Sequence, residues 1–546
     1  MKKTLVIAGC ILLHLASLTA KEDPYFAIAK NLDIFNAVVK ELQLHYVDTI
    51  PINKIVTSGI NGMLETLDPY TNYIPFENTK DFKLITTGEY GGIGSVISTN
   101  GDQVFVSEIY EGMPAHKAGI QPGDILLEID NKSTKGKTTT EVSSQLRGIP
   151  GTELTVKVQR AGQKRPLLFN ITREIIYLNP VVYAGIVADS TAYIRLTNFT
   201  DNCTSEIKQA LTGLQKEGMK SLILDLRANP GGILNEAIQT TNLFVPKGET
   251  IVTTRGKGGK LDRVYKTATA AQYPHLPLII LVDNGSASAS EIVAGAMQDM
   301  DRAVIMGERT YGKGLVQGTF PVSYDGQIKV TIAKYYIPSG RCIQAIRYTT
   351  KDGEVSEQIP DSLTSEFSTR NGRKVRDGRG VTPDLTVRPD TGMAITYDLL
   401  SDNLLFKYAG EYYREHDRIA SVDSFELTDR DFEQFKQFVK DQGFEYTTDT
   451  DYGLNKLIDI AKEDKLYEPN KAAFEALQAA LAHDLSQDLD EAKKEIMEFL
   501  SAEIIKRYYF QKGEIQWLLK TDPVVAKAID LLHHPEEMNR LLSGNK

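Results

Sequence analysis

Leu278-Ile279-Ile280-Leu281-Val282-Asp283-Asn284-Gly285-Ser286-Ala287-Ser288-Ala289-Ser290-Glu291-Ile292 is the stretch on which the fold turns. An apolar strand meets a tight run of small residues, and a helix follows through Val293, Ala296 and Met297. A strand–turn–helix junction exposes a side chain at the strand end and leaves backbone N–H groups unpaired at the helix start. A nucleophile placed there has donors at hand for a developing oxyanion. Ser286, Ser288 and Ser290 all qualify by position, and the same run also reads as a helix cap with close packing. It is not a G-x-S-x-G elbow, because Ser286 and Ser290 occupy the two glycine positions around Ser288.

Working outward, strands alternate with helical stretches from 176 to 390, which predicts an α/β core. The expected strands are 192–196, 221–226, 278–282, 303–306 and 328–337. Two loops of this core join the serine run as candidate chemistry. Gly307-Glu308-Arg309-Thr310-Tyr311-Gly312-Lys313-Gly314 nearly matches a phosphate-binding loop, but Gly314 replaces the hydroxyl residue, and 316–322 reads as extended rather than helical. Nucleotide binding is therefore not expected. Lys313 is instead a candidate base for a serine, against the plainer reading of a solvated loop lysine. Lysine starts near ~10.4, so work near neutrality needs a fall of about 3 pH units, roughly 4 kcal/mol, which desolvation can supply. The second loop is Asp225-Leu226-Arg227-Ala228-Asn229-Pro230-Gly231-Gly232. Its glycines allow close backbone approach and a second oxyanion donor, or simply make a turn with positive φ. The pair Ser205 and Lys208 has Ser-x-x-Lys spacing, but lies in a polar helix and is read as chance.

Residues 81–175 change to short strands and turns, forming one small domain. Within it Tyr90-Gly91-Gly92-Ile93-Gly94 precedes a strand. Such a loop can hold a terminal carboxylate while an extended peptide adds to the sheet edge; a glycine-rich hairpin is the competing reading. Residues 21–80 are helical: Leu32, Phe35, Val38, Val39 and Leu42 share one face, and a second helix over 52–67 stops at Asp68-Pro69. Residues 391–546, rich in Glu, Lys and Asp and holding Trp517, read as a helical region. Lys2 and Lys3, an apolar run from 4 to 18 and Leu18-Thr19-Ala20 predict a signal peptide over 1–20 and an exported, periplasmic or envelope protein. The run falls short of the ~20 apolar residues a spanning helix needs. Cys10 follows Ile7-Ala8-Gly9 as in a lipoprotein box, but comes too early in the leader, so lipid anchoring is not expected.

Composition narrows the function classes. The 546 residues are 41% hydrophobic with 72 acidic against 62 basic side chains, net −10, which opposes broad nucleic-acid binding. Three cysteines exclude a disulfide scaffold, leaving only Cys203 and Cys342 beyond the leader. Eight histidines supply no HExxH motif, so no metal and no cofactor is expected.

Taken in order, these segments resemble the C-terminal processing peptidases, or tail-specific proteases, which are Ser-Lys serine endopeptidases with an inserted PDZ domain. The resemblance covers roughly 30 to 390. It includes Leu67-Asp68-Pro69-Tyr70-Thr71, the PDZ-like stretch, 225–232, 286–291, 311–317, Tyr336-Ile337-Pro338-Ser339-Gly340-Arg341 and Gly380-Val381-Thr382-Pro383-Asp384. It implies Ser288 as nucleophile, Lys313 as base and Gln317 as the residue that orients the lysine. It also implies oxyanion donors on Ala289 and on Gly231 or Gly232, and tail binding at Gly91, Gly92, Ile93 and Gly94. The expected architecture is an α/β protease core with an inserted mostly-β PDZ-like domain and helical N- and C-terminal regions. Expected partners are protein substrates with accessible C-terminal tails, with self-association left open. Gly91-Gly92-Ile93-Gly94 departs from the Gly-Leu-Gly-Phe usual in PDZ domains, the chain beyond 390 carries no assignable motif, and Cys342 has no assigned role. The rival expectations are a PDZ-bearing non-catalytic scaffold and a chaperone-like binder using the helical tail.

Overall fold

The computed structural model describes residues 23–76, 86–348, 357–388, 392–481 and 484–544. The expected signal peptide and Cys10 lie outside them. The chain divides into two compact units, the smaller built from the N-terminal helices and the segment 317–331.

In the smaller unit, Asp23 caps helix α1 (Pro24–His45), its Oδ1 accepting the Tyr25 N–H at 3.0 Å. Helix α2 (Ile52–Glu65) places Gly59 against the Phe35 ring, where a β-carbon would sit 3.4 Å from it. The helix stops where Asp68 turns the chain: its Oδ1 accepts the Tyr70 and Thr71 N–H groups, each at 2.8 Å. Strand β1 (Asn72–Ile74) then pairs antiparallel with 327–329, Asn72 opposite Lys329.

The larger unit begins with the inserted domain, comprising β2 (Glu89–Gly92), β3 (Ser95–Asn100), β4 (Gln103–Ile109), β5 (Ile125–Ile129), helix α3 (Thr139–Leu146), β6 (Glu153–Gln159), β7 (Leu167–Thr172) and β8 (Glu174–Tyr177). Its main sheet runs β3-β4-β5-β6-β7, leaving β3 at an edge. Val104, Val106, Leu154, Val156 and Val158 alternate into a core that Val142 and Leu146 of α3 close. Helix α3 forms because Thr138 and Glu141 make a capping box.

The α/β core follows: β9 (Val181–Ala188), β10 (Thr191–Leu196), helix α4 (Cys203–Lys216), β11 (Ser221–Asp225), helix α5 (Leu234–Asn242), β12 (Thr250–Gly256), β13 (Leu278–Val282), helix α6 (Ala289–Asp299), β14 (Val304–Gly307) and the end of β15 (Gln327–Tyr336). The sheet order is β9-β10-β11-β13-β14 with Leu385–Thr386 outermost, and all neighbours after β10 are parallel. The unbroken apolar runs have a simple cause: both faces are covered. Leu222, Leu224, Leu278, Ile280 and Val282 face one core beneath α4, α5 and α6. Ile223, Ile279 and Leu281 face a second core completed by Val524, Val525 and Ala528 from the far end of the chain. Residues 333–336 at the end of β15 pair antiparallel with β12, Thr253 opposite Tyr336.

Beyond 391 the chain is helical. Helices α7 (Leu404–Glu415) and α8 (Lys493–Leu518) enclose Leu405, Phe432, Phe435, Leu489 and Ile496 with their neighbours, and α9 (Pro523–His533) lies on the core sheet. Two residues of α8 reach the inserted domain. The Arg507 guanidinium donates to the Pro122 carbonyl and, at 2.9 Å, to that of Phe406. Lys506 lies 3.1 Å from Glu108 and 3.2 Å from Glu514. Burial works against its charge, and the two carboxylates outweigh it, holding the ammonium above its ordinary range. No helix among the described residues is long and apolar enough to cross a membrane.

The expected architecture stands, with small shifts at element ends: the strand expected at 303–306 is Val304–Gly307 and the helix expected to 67 ends at Glu65. Gly307 carries a constraint that fixes the loop after β14. Its φ is +121° and a β-carbon there would lie 2.1 Å from the Val282 carbonyl oxygen. Gly307→Ala is expected to lower stability by about 2 kcal/mol or more, read as a fall in melting temperature.

Candidate active site

Strands β11, β13 and β14 are adjacent and parallel, so the loops at their carboxyl ends rise side by side. That end of an open parallel sheet is where ligands bind in α/β folds. The three loops are 226–233, 283–288 and 308–314, which together hold Gly231, Gly232, Ser286, Ser288 and Lys313. Ala289 is the first residue of α6.

The loops are interlocked by specific bonds. Ser286 Oγ donates to the Leu226 carbonyl at 2.8 Å and also accepts the Asp283 N–H at 3.0 Å. Ser290 Oγ donates to the Asn229 carbonyl at 2.8 Å. Both hydroxyls are fully buried. Ser288 differs: it is half-buried and is held at φ +53°, ψ −111°, an uncommon conformation for a residue with a β-carbon. Of the three serines, only Ser288 leaves the packed turn.

Gly231 presses against this turn. A β-carbon there would lie 2.8 Å from both the Ala289 nitrogen and the Ser288 β-carbon, at a φ of +100°. Its own N–H is engaged by Asn229 Oδ1 at 2.9 Å. Among the described residues, the N–H groups of Gly232 and Ala289 make no comparable bond. Of the two glycines left open above, Gly232 is the one with a donor to spare.

Glu291 joins the serine turn to the lysine loop. Its Oε2 accepts the N–H of Ser288 and the N–H of Lys313, each at 2.8 Å. The two backbone nitrogens therefore stand no further apart than twice that distance. Oε1 accepts the Gly312 N–H at 2.7 Å and the Thr310 hydroxyl at 2.5 Å. On the other side, the buried Tyr335 hydroxyl lies 3.1 Å from the Ser288 carbonyl and 2.7 Å from that of Lys313. Ser288 and Lys313 are thus tied together at their N–H groups and again at their carbonyls. Complete burial pushes the Glu291 carboxyl up to about 6, against the lowering pull of its four donors.

The remaining candidates belong to other elements. Gln317 belongs to the smaller unit, where its amide donates to Thr331 Oγ1 at 3.2 Å. Gly91 and Gly92 are not an open loop: they belong to β2, opposite Ile175 and Glu174 of β8. Gly91 also accepts the Gly148 N–H at 3.0 Å. A residue larger than glycine fails there, since a β-carbon would meet the Gly148 carbonyl oxygen at 2.0 Å. The Ile93 side chain is buried, and Gly94 has φ +73°. Ser205 and Lys208 are exposed on α4, as expected of a chance pair. Cys203 and Cys342 are both free thiols. No cluster of potential metal ligands occurs among the described residues.

Comparison with known proteins agrees with this layout. The family model Peptidase family S41 matches residues 190–355, a PDZ domain model 105–160, and a model for a probable PDZ-protease C-terminal helical domain 395–532. A carboxy-terminal-processing protease of Bartonella bacilliformis is 38% identical over 336 residues, 61% of this chain and 76% of that protein. The chain belongs to the C-terminal processing peptidases. It is a serine-type peptidase with a PDZ domain and a helical C-terminal domain. A probable CtpA-like serine protease of Staphylococcus aureus is 35% identical over 316 residues, 57% of this chain and 62% of that protein's length. Among solved structures, the photosystem II D1 C-terminal processing protease matches 65% of this chain and 92% of its own, at 27% identity and a TM-score of 0.36.

Sequence reasoning assigned no role to Glu291 or Tyr335. Glu291 had a readable signal, since it follows Ser288 by three residues, the spacing of a capping box. Tyr335 had none, because its role depends on a strand end reaching both loops. A peptidase whose loops are joined through one carboxylate should respond sharply to its loss. In Glu291→Gln the amide NH₂ must face one of the N–H donors, so stability at pH 7 is expected to fall by about 1–3 kcal/mol and peptide cleavage with it. In the native chain, an acid pushed up to about 6 contributes stability fully below its unfolded value near 4.5. That contribution, about 2 kcal/mol, is lost as pH rises through 6. Urea midpoints measured across this window should show the slope in wild type and its loss in Glu291→Gln.

Proposed function

We propose that this peptidase is an exported endopeptidase that cuts proteins near their C-termini through a Ser288–Lys313 dyad. The observation that carries the assignment is the Glu291 carboxylate oxygen shared by the Ser288 and Lys313 N–H groups. It supports a fixed spacing between a nucleophile and the base serving it. The neutral Lys313 amine takes the Ser288 proton, and the Ser288 oxygen attacks the scissile carbonyl. The oxyanion is received by the N–H groups of Ala289 and Gly232. Lys313 returns the proton to the departing amine, and water, deprotonated by the same lysine, hydrolyses the acyl-enzyme.

The tail of the substrate adds to the free edge of β3, with its carboxylate at the Ile93–Gly94 end of that strand. The edge position of β3 and the adjacent α3, whose Val142 and Leu146 are buried, support this reading. Action outside the cytoplasm rests on the basic, apolar leader in the sequence.

The test compares wild type with Ser288→Ala and Lys313→Ala on an unfolded protein ending in an apolar tail. Both variants are expected to lose at least ~10³-fold in cleavage while keeping the wild-type melting temperature. Cleavage by either folded variant at more than a few per cent of the wild-type rate overturns the dyad. If both variants stay active, a different nucleophile is required.

A further inference from the structure

The C-terminal helical domain touches the loop that carries Gly231 and Gly232. Asp522 caps α9 with one carboxylate oxygen, Oδ1, which accepts the N–H groups of Val524 at 2.9 Å and Val525 at 3.1 Å. Its other oxygen, Oδ2, takes Nη2 of Arg227 at 2.7 Å. Arg227 does not need this partner for its charge. Its Nε already lies 3.0 Å from both oxygens of Asp225, and its Nη2 lies 2.6 Å from Oδ2 of the same group. Asp225 is fully buried and also accepts the Tyr193 hydroxyl at 2.5 Å. The result is a continuous chain from Tyr193 on β10, through Asp225 at the end of β11 and Arg227, to Asp522 at the start of α9.

A second carboxylate adds direction: a planar guanidinium held between two carboxylates on separate elements has its orientation fixed. What it fixes is the loop backbone. On one side of Arg227, the Leu226 carbonyl accepts from Ser286 Oγ. On the other, Ala228, at φ +55°, donates its N–H to Asp283 Oδ1 at 2.9 Å. Both partners belong to the turn that presents Ser288. Beyond Ala228 the chain runs directly to Asn229, Gly231 and Gly232. Burial opposes the Arg227 charge, and Asp225 followed by Asp522 more than offset it, holding the guanidinium above its ordinary range.

We infer that Asp522, on the helical domain, is a positioning residue for the catalytic reaction, holding through Arg227 the loop that offers the Gly232 N–H to the oxyanion. This inference rests on the proposed Ser288 mechanism. It gives the helical domain a part in the chemistry that its distance along the chain conceals.

Asp522→Asn isolates the effect, because asparagine caps a helix as well as aspartate and only the carboxylate that Arg227 Nη2 meets is lost. Loss of one oxyanion donor costs ~10²–10³ in rate, and a displaced donor a fraction of that. The expected result is a fall in kcat of roughly 10-fold, with KM for the tailed substrate within about twofold of wild type and a chain that stays folded at the assay temperature, its melting temperature lowered less than in Asp522→Ala. Asp522→Ala, which also removes the cap, should lower the melting temperature as well. Arg227→Lys, unable to span both carboxylates, should show the same kcat loss, and combining it with Asp522→Asn should add little. Wild-type kcat in folded Asp522→Asn overturns the inference, as does a loss that appears in KM alone or that is fully additive with Arg227→Lys. Ser288→Ala, run alongside, keeps the two readings apart. If it is inactive while Asp522→Asn is normal, only this inference fails; if it is active, the mechanism itself fails.

Discussion

Burying a carboxylate is costly unless its lone pairs are filled, and Glu291 is filled four times over. Around that requirement the active end of the molecule is organised. An ionised group at this depth persists only if Ser288, Thr310, Gly312 and Lys313 all deliver their donors to it. The strained backbone of Ser288 is one consequence: its φ of +53° is over-determined by the bond to Glu291 below and the Tyr335 hydroxyl beside its carbonyl. The strand–turn–helix junction thus lifts one hydroxyl out of a packed turn while its two neighbours, Ser286 and Ser290, are consumed in holding that turn to the 226–232 loop.

The core was legible in the sequence where physics acts locally. Strands such as Leu278–Val282 read clearly because both faces of the sheet are covered, so no polar residue interrupts them. The helix at Ala289–Asp299 and the turn before it follow from small residues and a capping pattern. Ser288 could be chosen only through resemblance, since three serines share the run; the structure separates them by burial and bonding. The glycines of the 225–232 loop were ambiguous for the same reason. Which N–H remains unpaired depends on Asn229 folding its amide back to Gly231, and that is invisible to spacing alone.

Other features were out of reach because they join distant segments. Nothing about Tyr335 or Asp522 marks either residue in the sequence. The open glycine loop expected at 91–94 was half wrong on physical grounds: Gly91 and Gly92 are small because β8 and Gly148 approach closely, not because their amides need to be free. The helical domain likewise announced only its periodicity. Its contacts, Arg507 to the Pro122 carbonyl and Asp522 to Arg227, lie at two points of one short stretch of chain and reach two different domains.

The separation of these ties along the polypeptide bears on how the enzyme comes into being. Thr310, which holds Glu291, is itself bonded to Val381, 71 positions further on, and Arg227 waits for Asp522, 295 positions away. During synthesis from the amino end, the hydroxyl of Ser288 emerges long before the residues that brace its surroundings. A half-made molecule therefore holds Ser288 without the bonds that brace its turn, and the arrangement around Glu291 and Arg227 is complete only once the last helices have folded.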